Sequence, residues 1–439
     1  MNAKVRRPVA YVMKRYPRLT ETFILNEIRA MERLGAKINI FSLLPPEPPP
    51  HHPMVAQVQA PIHSPVATGF GKWTCLARAH GHMLASSPLR YAGAVSRAIV
   101  WSALSPTPLS VWKQFGRGAY IASTCRRSGI LHIHAHFANA PAASARFANL
   151  MSGIPYSFTT HAKDLYLTPP HVIRKRARAA TFVATCTDYN ARYLRDLLGD
   201  DADKVHLVYH GIDLSQFSPR AEQSACTSTP PKLVLSVGRL VEKKGHDDLI
   251  AACAMLLRKG LDFRCMIVGE GPLRSALAAQ IDELGLIGVV TLEGAMTHAE
   301  LVALYRHADV FALAPRITDD GDRDGIPNVI AEAMATGVPV VSTDVSGIPE
   351  LVVHEQTGLL AQPSNPVSFA NALERLLVDP KQAVSLAQAA RHRLEQDFDL
   401  WTTTRRLHAL IDDCHACGDV HANGADVVNG KASPVEAGS

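Results

Sequence analysis

The sequence predicts an α/β protein of two domains, each built around a parallel β-sheet. The chain has 439 residues, which is more than one hydrophobic core usually serves, so two domains are the natural expectation. Short apolar runs alternate with helical patterns in both halves, as they do in parallel sheets whose strands are joined by helices. Hydrophobic residues make up 47% of the chain and charged residues 19%, an ordinary globular composition. Each half can therefore bury a core of its own.

The first half opens with a strand-helix-strand unit. An apolar run at 9–13 is followed by a helical pattern at 23–34, which Gly35 ends, and by a second apolar run at 38–43. The segment 45–53 is rich in proline and histidine and predicts a loop. Four more short buried strands are predicted further along, at 131–136, 156–160, 181–184 and 205–208.

A polar stretch flanked by proline at 218–231 predicts a linker between the halves. The chain thus divides into a first domain at 1–217 and a second domain at 232–395. A helix predicted at 396–413 could return to the first domain, and the small, polar segment 418–439 predicts a disordered tail. Strands of the second domain are predicted at 232–237, 263–268, 289–293, 310–314, 338–342 and 358–361.

Positive charge is concentrated in the first domain. No acidic residue lies between Glu47 and Asp164, whereas this stretch carries ten lysines and arginines together with Trp73, Trp101 and Trp112. Cations beside interfacial tryptophans predict docking on an anionic membrane surface. A diphosphate-bearing acceptor or nucleic acid would also suit the charge, and solvated helix faces without function are the plain alternative.

The sequence predicts a cytoplasmic protein that is at most peripheral on a membrane. No window approaches the roughly 20 apolar residues that a spanning helix needs. The N-terminal residues lead into the first strand without an apolar signal region, and the eight cysteines are scattered, which suits a reducing compartment. Cys414 and Cys417 have zinc-like spacing, but no second pair follows, so a metal is not expected there.

Two cations follow the first strand of the second domain. Gly238 ends this strand, Arg239 comes next, and Lys244 follows five residues later. Because ligands bind at the carboxyl ends of strands in a parallel sheet, both cations lie where a diphosphate would be held. Arginine would bind it as a fork and lysine as a point charge. A surface loop whose cations merely face water explains these residues equally well.

A polar stretch after the fourth strand of the second domain carries two carboxylates. Glu332 follows Asp324 by eight residues, and a helix is predicted to begin at Pro327. One carboxylate then lies in a loop and the other about one and a half turns into the helix. The helix start at Pro327, Asn328 and Val329 can meet an anion with its free N–H groups. The carboxylates can accept hydrogen bonds from sugar hydroxyls.

Two metal interpretations compete for this stretch. Asp320, Asp322 and Asp324 imitate the first half of a calcium loop, but the twelfth position is Ala331 and Pro327 falls within the loop. Asp320 with Asp322 also resembles a metal-binding aspartate pair of a single-domain fold. A chain of two domains argues against that fold.

Glycines and histidines mark two further loops. Gly269 and Gly271 follow a strand and let the backbone turn close to a ligand. A dinucleotide site would need a third glycine, although Glu293 lies near the required distance and keeps that interpretation open. His161 follows the carboxyl end of a strand, where ligands approach. Satisfied core positions are predicted for the other clustered histidines, His132, His134 and His136.

Taken together, these residues resemble glycosyltransferase family 4, which has the GT-B fold of two Rossmann-like domains facing across a cleft. The match covers nearly the whole chain. Gly238 and Arg239 with Lys244 look like the family's diphosphate motif, and the stretch from Asp324 to Glu332 looks like its acidic motif. Finer features are similar to the colanic-acid-type exopolysaccharide transferases within the family, at 16–23, 134–137 and 160–164.

The resemblance implies a role for each residue. Arg239 and Lys244 would hold the diphosphate of a nucleotide-sugar donor, and Glu332 would bind the nucleotide ribose. Asp324 would lie near the transferred sugar, where the family usually has a glutamate, and His161 matches the family's histidine near that sugar. The remaining donor-binding positions are Gly238, Gly269, Gly271, Pro327, Asn328 and Val329.

The resemblance also implies the reaction. A sugar would move from a nucleotide-sugar donor to a saccharide or lipid-linked saccharide acceptor, with retention of anomeric configuration. Fixed cations at the diphosphate would make a metal cofactor unnecessary, and no nucleic acid partner is expected. A non-catalytic nucleotide-sugar or polyanion-binding protein on the same fold is the alternative.

Overall fold

The computed structural model describes residues 8–18, 21–49, 51–64, 70–219 and 231–426; for Phe70, Lys72 and 415–426 it describes the backbone alone. Most of the predicted linker and the last part of the predicted tail, 427–439, lie outside these residues. The described chain forms two parallel sheets covered by helices. The predicted α/β fold class with two sheets is therefore confirmed.

The first domain is built on a sheet of seven described strands, all parallel. Their order across the sheet is β3-β2-β1-β4-β5-β6-β7, so the topology switches direction between β1 and β4. The inner strands are buried on both faces, and the first strand accordingly has an unbroken apolar run at 9–13. The strands are β1 (Pro8–Arg15), β2 (Lys37–Leu44), β3 (Ile62–His63), β4 (His132–His136), β5 (Tyr156–Thr160), β6 (Val183–Thr185) and β7 (Val205–Leu207).

Local sequence determines where the helices of the first domain start and how closely they pack. Pro88 and Pro108 each occupy the first position of a helix, where a backbone N–H would have no intrahelical partner. Gly118 lets two helices touch, because a Cβ there would lie 2.5 Å from the Cβ of Phe147. The helices are α1 (Thr22–Arg33), α2 (Phe70–Ser86), α3 (Pro88–Ala103), α4 (Pro108–Arg127), α5 (Ala140–Ser152), α6 (Ala162–Tyr166), α7 (Pro170–Ala179) and α8 (Asp188–Leu198).

The second domain repeats this architecture with a sheet of six described parallel strands. Their order is β10-β9-β8-β11-β12-β13, so the topology switches direction between β8 and β11. The strands are β8 (Lys232–Val237), β9 (Phe263–Val268), β10 (Val290–Glu293), β11 (Val310–Ala312), β12 (Val340–Thr343) and β13 (Leu359–Ala361). The helices are α9 (His246–Arg258), α10 (Arg274–Glu283), α11 (His298–His307), α12 (Asn328–Ala335), α13 (Ile348–Leu351), α14 (Pro366–Val378), α15 (Pro380–Asp397) and α16 (Leu400–Asp426).

The last helix, α16, crosses back onto the first domain. At the crossing, the backbone N–H of Ile212 donates to the carbonyl of Phe398 at 2.8 Å, and the N–H of Leu400 donates to the carbonyl of Ile212 at 3.0 Å. Leu407 and Ile411 are then buried in the apolar cluster between the first sheet and α1. The C-terminal helix thus packs as part of the first domain.

Gly211 lies directly under this crossing. A Cβ at Gly211 would collide with the Cα of Leu400 and the hydroxyl of Thr403. The absence of a side chain at this one position lets the two chain segments meet.

The helix α16 ends later than the sequence suggests. A disordered tail was predicted from Gly418 onward, but the helical backbone continues to Asp426. Extending a formed helix adds one hydrogen bond for each residue fixed, so a helix anchored by Leu407 and Ile411 can run into small, polar sequence. The prediction for 418–426 is therefore corrected.

Helix length and hydropathy bear on membrane crossing. Among the described residues, no helix combines the length and the apolar character needed to span a bilayer.

Candidate functional site

The carboxyl ends of the two sheets meet at a cleft between the domains. A cavity of about 70 Å³ in this cleft is lined by both domains. Asn26 and His210 lie on the wall of the first domain, and Asn328 and Glu332 lie on the wall of the second. In parallel α/β sheets ligands bind outside the carboxyl ends of the strands, where the strand order reverses, so this cleft is the candidate site.

Two lysines and a carboxylate form an ion cluster on the wall of the second domain. Lys244 Nζ lies 2.5 Å from Asp324 Oδ2, and Lys243 Nζ lies 3.2 Å from Asp324 Oδ1. Lys243 also contacts Asp322 at 3.0 Å. Burial raises the pKa of Asp324, but Lys244 and Lys243 outweigh burial and hold that pKa below its ordinary value. Asp324 is therefore a carboxylate whose charge is matched by fixed cations.

Arg239, the other predicted phosphate ligand, lies apart from this cluster. Its side chain is exposed on the loop after β8, and no ion pair is recorded for it among the described residues. The structure thus brings Lys244 and Asp324 into contact and leaves Arg239 exposed to solvent on the loop that also carries Lys244. Lys243, which the sequence analysis passed over, takes the inner position beside Lys244.

The predicted glycines allow two loops of the second domain to touch. A Cβ at Gly269 would collide with the carbonyl of Gly238, and one at Gly271 would collide with the carbonyl of Leu240. Gly269 also has φ 149°, a backbone conformation that other residues rarely adopt. Gly269 and Gly271 therefore pack directly against the backbone on either side of Arg239. A close approach of these glycines to a ligand stays a prediction.

Glu332 occupies the inner end of the cleft. The hydroxyl of Tyr305 donates to Glu332 Oε2 at 3.0 Å, and the carboxylate lines the cavity shared by both domains. Burial raises the pKa of Glu332, and the hydrogen bond from Tyr305 partly counters this. One carboxylate oxygen is thereby fixed by the protein, which orients the other for a ligand.

The helix that carries Glu332 begins one residue later than predicted. Pro327 has extended backbone angles, φ −62° and ψ 124°, and α12 starts at Asn328. The carbonyl of Pro327 accepts from the N–H of Ile330 at 3.0 Å, so proline caps the helix from outside. Asn328 lines the cavity, and Val329 occupies the first turn beside it.

Aromatic rings surround His161 on the wall of the first domain. His161 stacks on His210 with ring centroids 4.9 Å apart and contacts Phe23 at 5.0 Å and Phe137 at 4.5 Å. Burial and the neighbouring His136 together lower the pKa of His161 to about 3, against the opposing effect of Glu27. His161 is therefore a neutral ring at physiological pH.

The first helix contributes polar groups that the sequence analysis missed. Glu27 Oε1 lies 3.3 Å from His136 Nε2; the His136 side chain is fully buried and that of Glu27 is 12% exposed. Asn26 lines the cavity, and its side-chain oxygen is buried without a hydrogen-bond partner in the described part of the chain. The sequence did carry a signal for Glu27, because this charged residue lies between Leu25 and Ile28, two buried residues of an amphipathic helix.

The predicted core histidines fall into two kinds. His134 is satisfied on both ring nitrogens, by Ser157 at 2.8 Å and Thr159 at 2.9 Å. His132 contacts Ser157 at 2.7 Å. His136 has no hydrogen bond of good geometry within the described residues, so its partner is the carboxylate of Glu27.

The acidic loop that carries Asp324 also contacts the first domain. Lys163 Nζ lies 3.3 Å from Asp322, and the guanidinium of Arg323 lies 4.1 Å from the ring centroid of Tyr166. Asp322 is therefore held by lysines from both domains. Within the residues that the structure describes, no group of three or more His, Cys, Asp or Glu side chains is placed to hold a metal ion.

Two family models match consecutive parts of the chain. The model described as Glycosyltransferase Family 4 matches residues 20–216, and the model described as Glycosyl transferases group 1 matches residues 220–393. Together they span both domains and the cleft between them.

Curated relatives match over long stretches. The chain is 29% identical over 426 residues to the colanic acid biosynthesis glycosyltransferase WcaL of Escherichia coli, covering 92% of this chain and 99% of that protein. It is 31% identical over 263 residues to the GDP-mannose-dependent alpha-(1-6)-phosphatidylinositol monomannoside mannosyltransferase of Mycolicibacterium smegmatis, covering 58% of this chain and 69% of that protein.

Solved structures share the architecture of the whole chain. A glycosyltransferase from Rickettsia africae superposes with a TM-score of 0.69 at 16% identity, covering 94% of this chain and 99% of that one. Anabaena HepE in complex with UDP and glucose superposes with a TM-score of 0.65 at 17% identity, covering 93% and 99%. These likenesses establish a GT-B arrangement of two domains around the cleft.

Proposed function

Since this chain belongs to glycosyltransferase family 4, we propose that it moves a sugar from a nucleotide-sugar donor to a saccharide or lipid-linked saccharide acceptor, with retention of anomeric configuration. The donor would bind to the second domain and the acceptor to the first. The alternative, a non-catalytic binding protein on the same fold, has no feature of the cleft in its favour.

The ion cluster at the end of β8 carries this proposal. When the bond between sugar and phosphate breaks, negative charge grows on the diphosphate, and fixed cations that meet this charge lower the barrier. Lys243 and Lys244 are held within 3.2 Å of Asp324, so two cations lie beside the carboxylate assigned to the transferred sugar. Arg239 lies exposed on the same loop and would close over the diphosphate as a fork.

Carboxylates on each side of the diphosphate would bind the rest of the donor. Glu332, fixed by Tyr305, would accept a hydrogen bond from a ribose hydroxyl. Asp324, beside the lysines, would accept from a hydroxyl of the transferred sugar. His161 would contact the same sugar from the first domain as a neutral ring.

Neutralisation of the diphosphate by lysine and arginine would make a metal ion unnecessary. Retention would follow if the acceptor hydroxyl attacks from the face that the diphosphate leaves, with both groups confined in one cleft. Asp322, the residue that a metal interpretation needs, is occupied by Lys243 and Lys163. These ion pairs of Asp322 support a site in which lysine and arginine side chains, and not a metal ion, neutralise the diphosphate.

The wall of the first domain would receive the acceptor. Asn26 and His210 line the cavity opposite Glu332, and each has a buried polar atom without a hydrogen-bond partner among the described residues. Such groups suit hydroxyl-rich ligands, because a bound sugar would satisfy them.

Relatives support the class of product. WcaL is named for colanic acid biosynthesis, so this chain would act in exopolysaccharide or surface polysaccharide synthesis. The mannosyltransferase is named for a GDP-mannose donor and a phosphatidylinositol mannoside, which supports a lipid-linked acceptor. HepE was solved with UDP, so relatives use different bases. The chain would work in the cytoplasm, peripheral on the inner face of an anionic membrane.

Release of nucleoside diphosphate tests the proposal. The protein is incubated with a panel of UDP- and GDP-sugars, with and without a lipid-linked saccharide fraction, and release is followed by coupled assay. A thermal-shift screen with the same panel identifies the donor beforehand. Release that requires the acceptor supports transfer. Stabilisation by a nucleotide sugar with no release under any acceptor would identify a binding protein instead.

A further inference from the structure

Large apolar side chains are exposed on α2, α3 and α4 of the first domain. Among the described residues, seventeen large hydrophobic side chains are exposed, and eight of them lie from position 73 to position 112. Six of the eight form a set that we call the helix-end patch, and they are between 41% and 76% exposed: Trp73, Ile99, Val100, Leu104, Leu109 and Trp112. Contiguous exposed apolar surface of this kind marks an interaction site.

Packing between the three helices places this set at one end of the layer. The ring of His80 in α2 stacks on Phe115 in α4 at 5.2 Å, and Arg126 near the end of α4 donates to the carbonyl of Ser86 at the end of α2 at 3.1 Å. These two helices are therefore parallel. A single residue joins α2 to α3 and four residues join α3 to α4, so α3 runs the opposite way. The starts of α2 and α4 thus meet the end of α3.

The same end of the layer lies at the edge of the sheet where the cleft opens. Ser144 near the start of α5 donates to Gln114 near the start of α4 at 2.7 Å, and Phe147 packs on Gly118 one turn further along both helices. Helices α4 and α5 are therefore parallel. Because α5 follows the carboxyl end of β4 after a few residues, the start of α4 lies at the carboxyl edge of the sheet.

We propose that the helix-end patch docks on an anionic membrane, with its apolar side chains entering the boundary between headgroups and acyl chains. This inference rests on the proposed function, because a cleft beside the bilayer would meet a lipid-linked acceptor directly. Leu104 and Leu109 flank the turn between α3 and α4 and would enter deepest. Trp112 would sit at the headgroup level, where indole rings concentrate.

Charge favours an anionic bilayer over a neutral one. Lys113 is exposed near the start of α4, next to Trp112 of the patch, whereas Arg97 is exposed in the middle part of α3, where its guanidinium donates to the carbonyl of Gly93. From position 48 to position 163 the chain carries no carboxylate that would repel anionic headgroups or lose hydration at the surface. Each cation that reaches the surface adds to a field that extends about one Debye length, so binding should weaken in salt.

Trp101 and several of the ten cations do not belong to the patch. The ring of Trp101 packs on Phe147 with centroids 5.3 Å apart, and the guanidinium of Arg146 lies 4.3 Å from the Trp101 ring centroid. Arg126 lies at the opposite end of α4. The sequence-based expectation of three interfacial tryptophans is thus reduced to Trp73 and Trp112.

Vesicle co-sedimentation tests the proposal with a double variant. The full-length protein is mixed with vesicles of phosphatidylcholine alone or with an equal part of phosphatidylglycerol, at low and high salt. Leu104→Ser with Leu109→Ser should lower partitioning onto the anionic vesicles by about a hundredfold or more, since each buried leucine contributes about tenfold or more. Ile287→Ser, an equally exposed apolar position in the second domain, is the matched control and should bind like the parent.

Three results would overturn the proposal. These are equal binding of the double variant and the parent, equal binding to neutral and anionic vesicles, and absence of binding by the parent. If the parent does not bind vesicles but self-associates, and the double substitution abolishes this, the patch belongs to a second copy. Nucleoside diphosphate release in solution is measured on the same proteins. Absence of vesicle binding by the parent, with its nucleoside diphosphate release intact, would refute docking alone and leave the transferase proposal standing.

Discussion

The ammonium of Lys244 lies 2.5 Å from the carboxylate of Asp324, although the two residues are eighty positions apart. Lys244 follows β8 and Asp324 follows β11, and these strands are neighbours in the second sheet. The residues assigned to diphosphate and to sugar thus contact each other before any donor is bound. A donor must share Lys244 with Asp324 or displace the carboxylate, and this competition makes the site sensitive to the charge of both.

Removal of either predicted phosphate ligand should slow transfer. Lys244→Ala and Arg239→Ala are each expected to lower turnover by about 10- to 1000-fold, because each removes a cation from charge that develops in the transition state. Lys243→Ala should behave similarly, since Lys243 contacts the same carboxylate. Steady-state release of nucleoside diphosphate measures all three. Lys259→Ala, which removes a surface ion pair with Glu374, is the control, and full activity in Lys244→Ala would refute the assignment.

Transfer should persist when divalent metals are removed. Because lysines and arginine are assigned to the diphosphate, excess chelator should change turnover by less than about twofold. The assay is repeated after dialysis against chelator and after adding Mg²⁺ or Mn²⁺. A collapse that added metal restores would instead favour the interpretation of Asp320 and Asp322 as metal ligands.

The two carboxylates should differ in their effect on nucleotide binding. Glu332→Gln is expected to weaken binding of the plain nucleoside diphosphate by about tenfold, because a ribose hydroxyl loses a charged acceptor. Asp324→Asn should not weaken it, since the substitution frees Lys243 and Lys244 from their partner, but it should lower turnover. Calorimetric titration separates the two effects. Equal losses of nucleotide affinity would contradict this division of roles.

Stability should fall as pH drops, and His161 should contribute to the loss. Its pKa is about 3 in the folded protein and about 6.5 when unfolded, so the unfolded state takes up the proton first below pH 6.5. The contribution of His161 is therefore complete above pH 6.5 and disappears progressively toward pH 3. Between pH 7.5 and pH 5.5 it should cost about 1.4 kcal/mol.

Denaturant unfolding of His161→Gln at the two pH values checks this effect. The variant should lose about 1.4 kcal/mol less than the parent over the same interval. Other groups titrate nearby, and Asp164, with its pKa raised to about 7, acts in the opposite direction. Comparison of the two proteins cancels those contributions. An identical pH dependence in both would show that His161 is not the buried neutral ring described here.

The sequence predicted the strands of both sheets well, because buried parallel strands appear as short apolar runs between helices. The strands at 156–160, 232–237 and 263–268 have the predicted bounds. By contrast, β3 was missed because Ile62 and His63 form only two residues of edge strand, too short for any period to appear. The strand predicted at 310–314 ends two residues early, at Ala312.

The candidate site was predictable in part. Motif spacing pointed to Lys244, Asp324 and Glu332. Lys244 and Asp324 contact each other, and Glu332 lines the cavity between the domains, while the roles assigned to all three stay predictions. Spacing could not tell that Lys243 would take the inner position and Arg239 the exposed one, because adjacent residues in a loop face whichever way the turn sends them. Asn26 was missed for a different reason. Its place in the cavity depends on the packing of one domain against the other, a non-local contact that leaves no local pattern.

The chain returns to the first domain at Leu400, where it is hydrogen-bonded to Ile212. The backbone leaves the first domain after Phe217 and returns to it after Phe398, and hydrogen bonds beside Gly211 tie the two passages together. Away from this crossing, the backbone N–H groups of Asp188 and Tyr189 in the first domain donate to the carboxylate of Glu350 in the second, at 2.7 and 2.8 Å. A rotation of the domains about the crossing that separated these residues would therefore have to break both hydrogen bonds to Glu350.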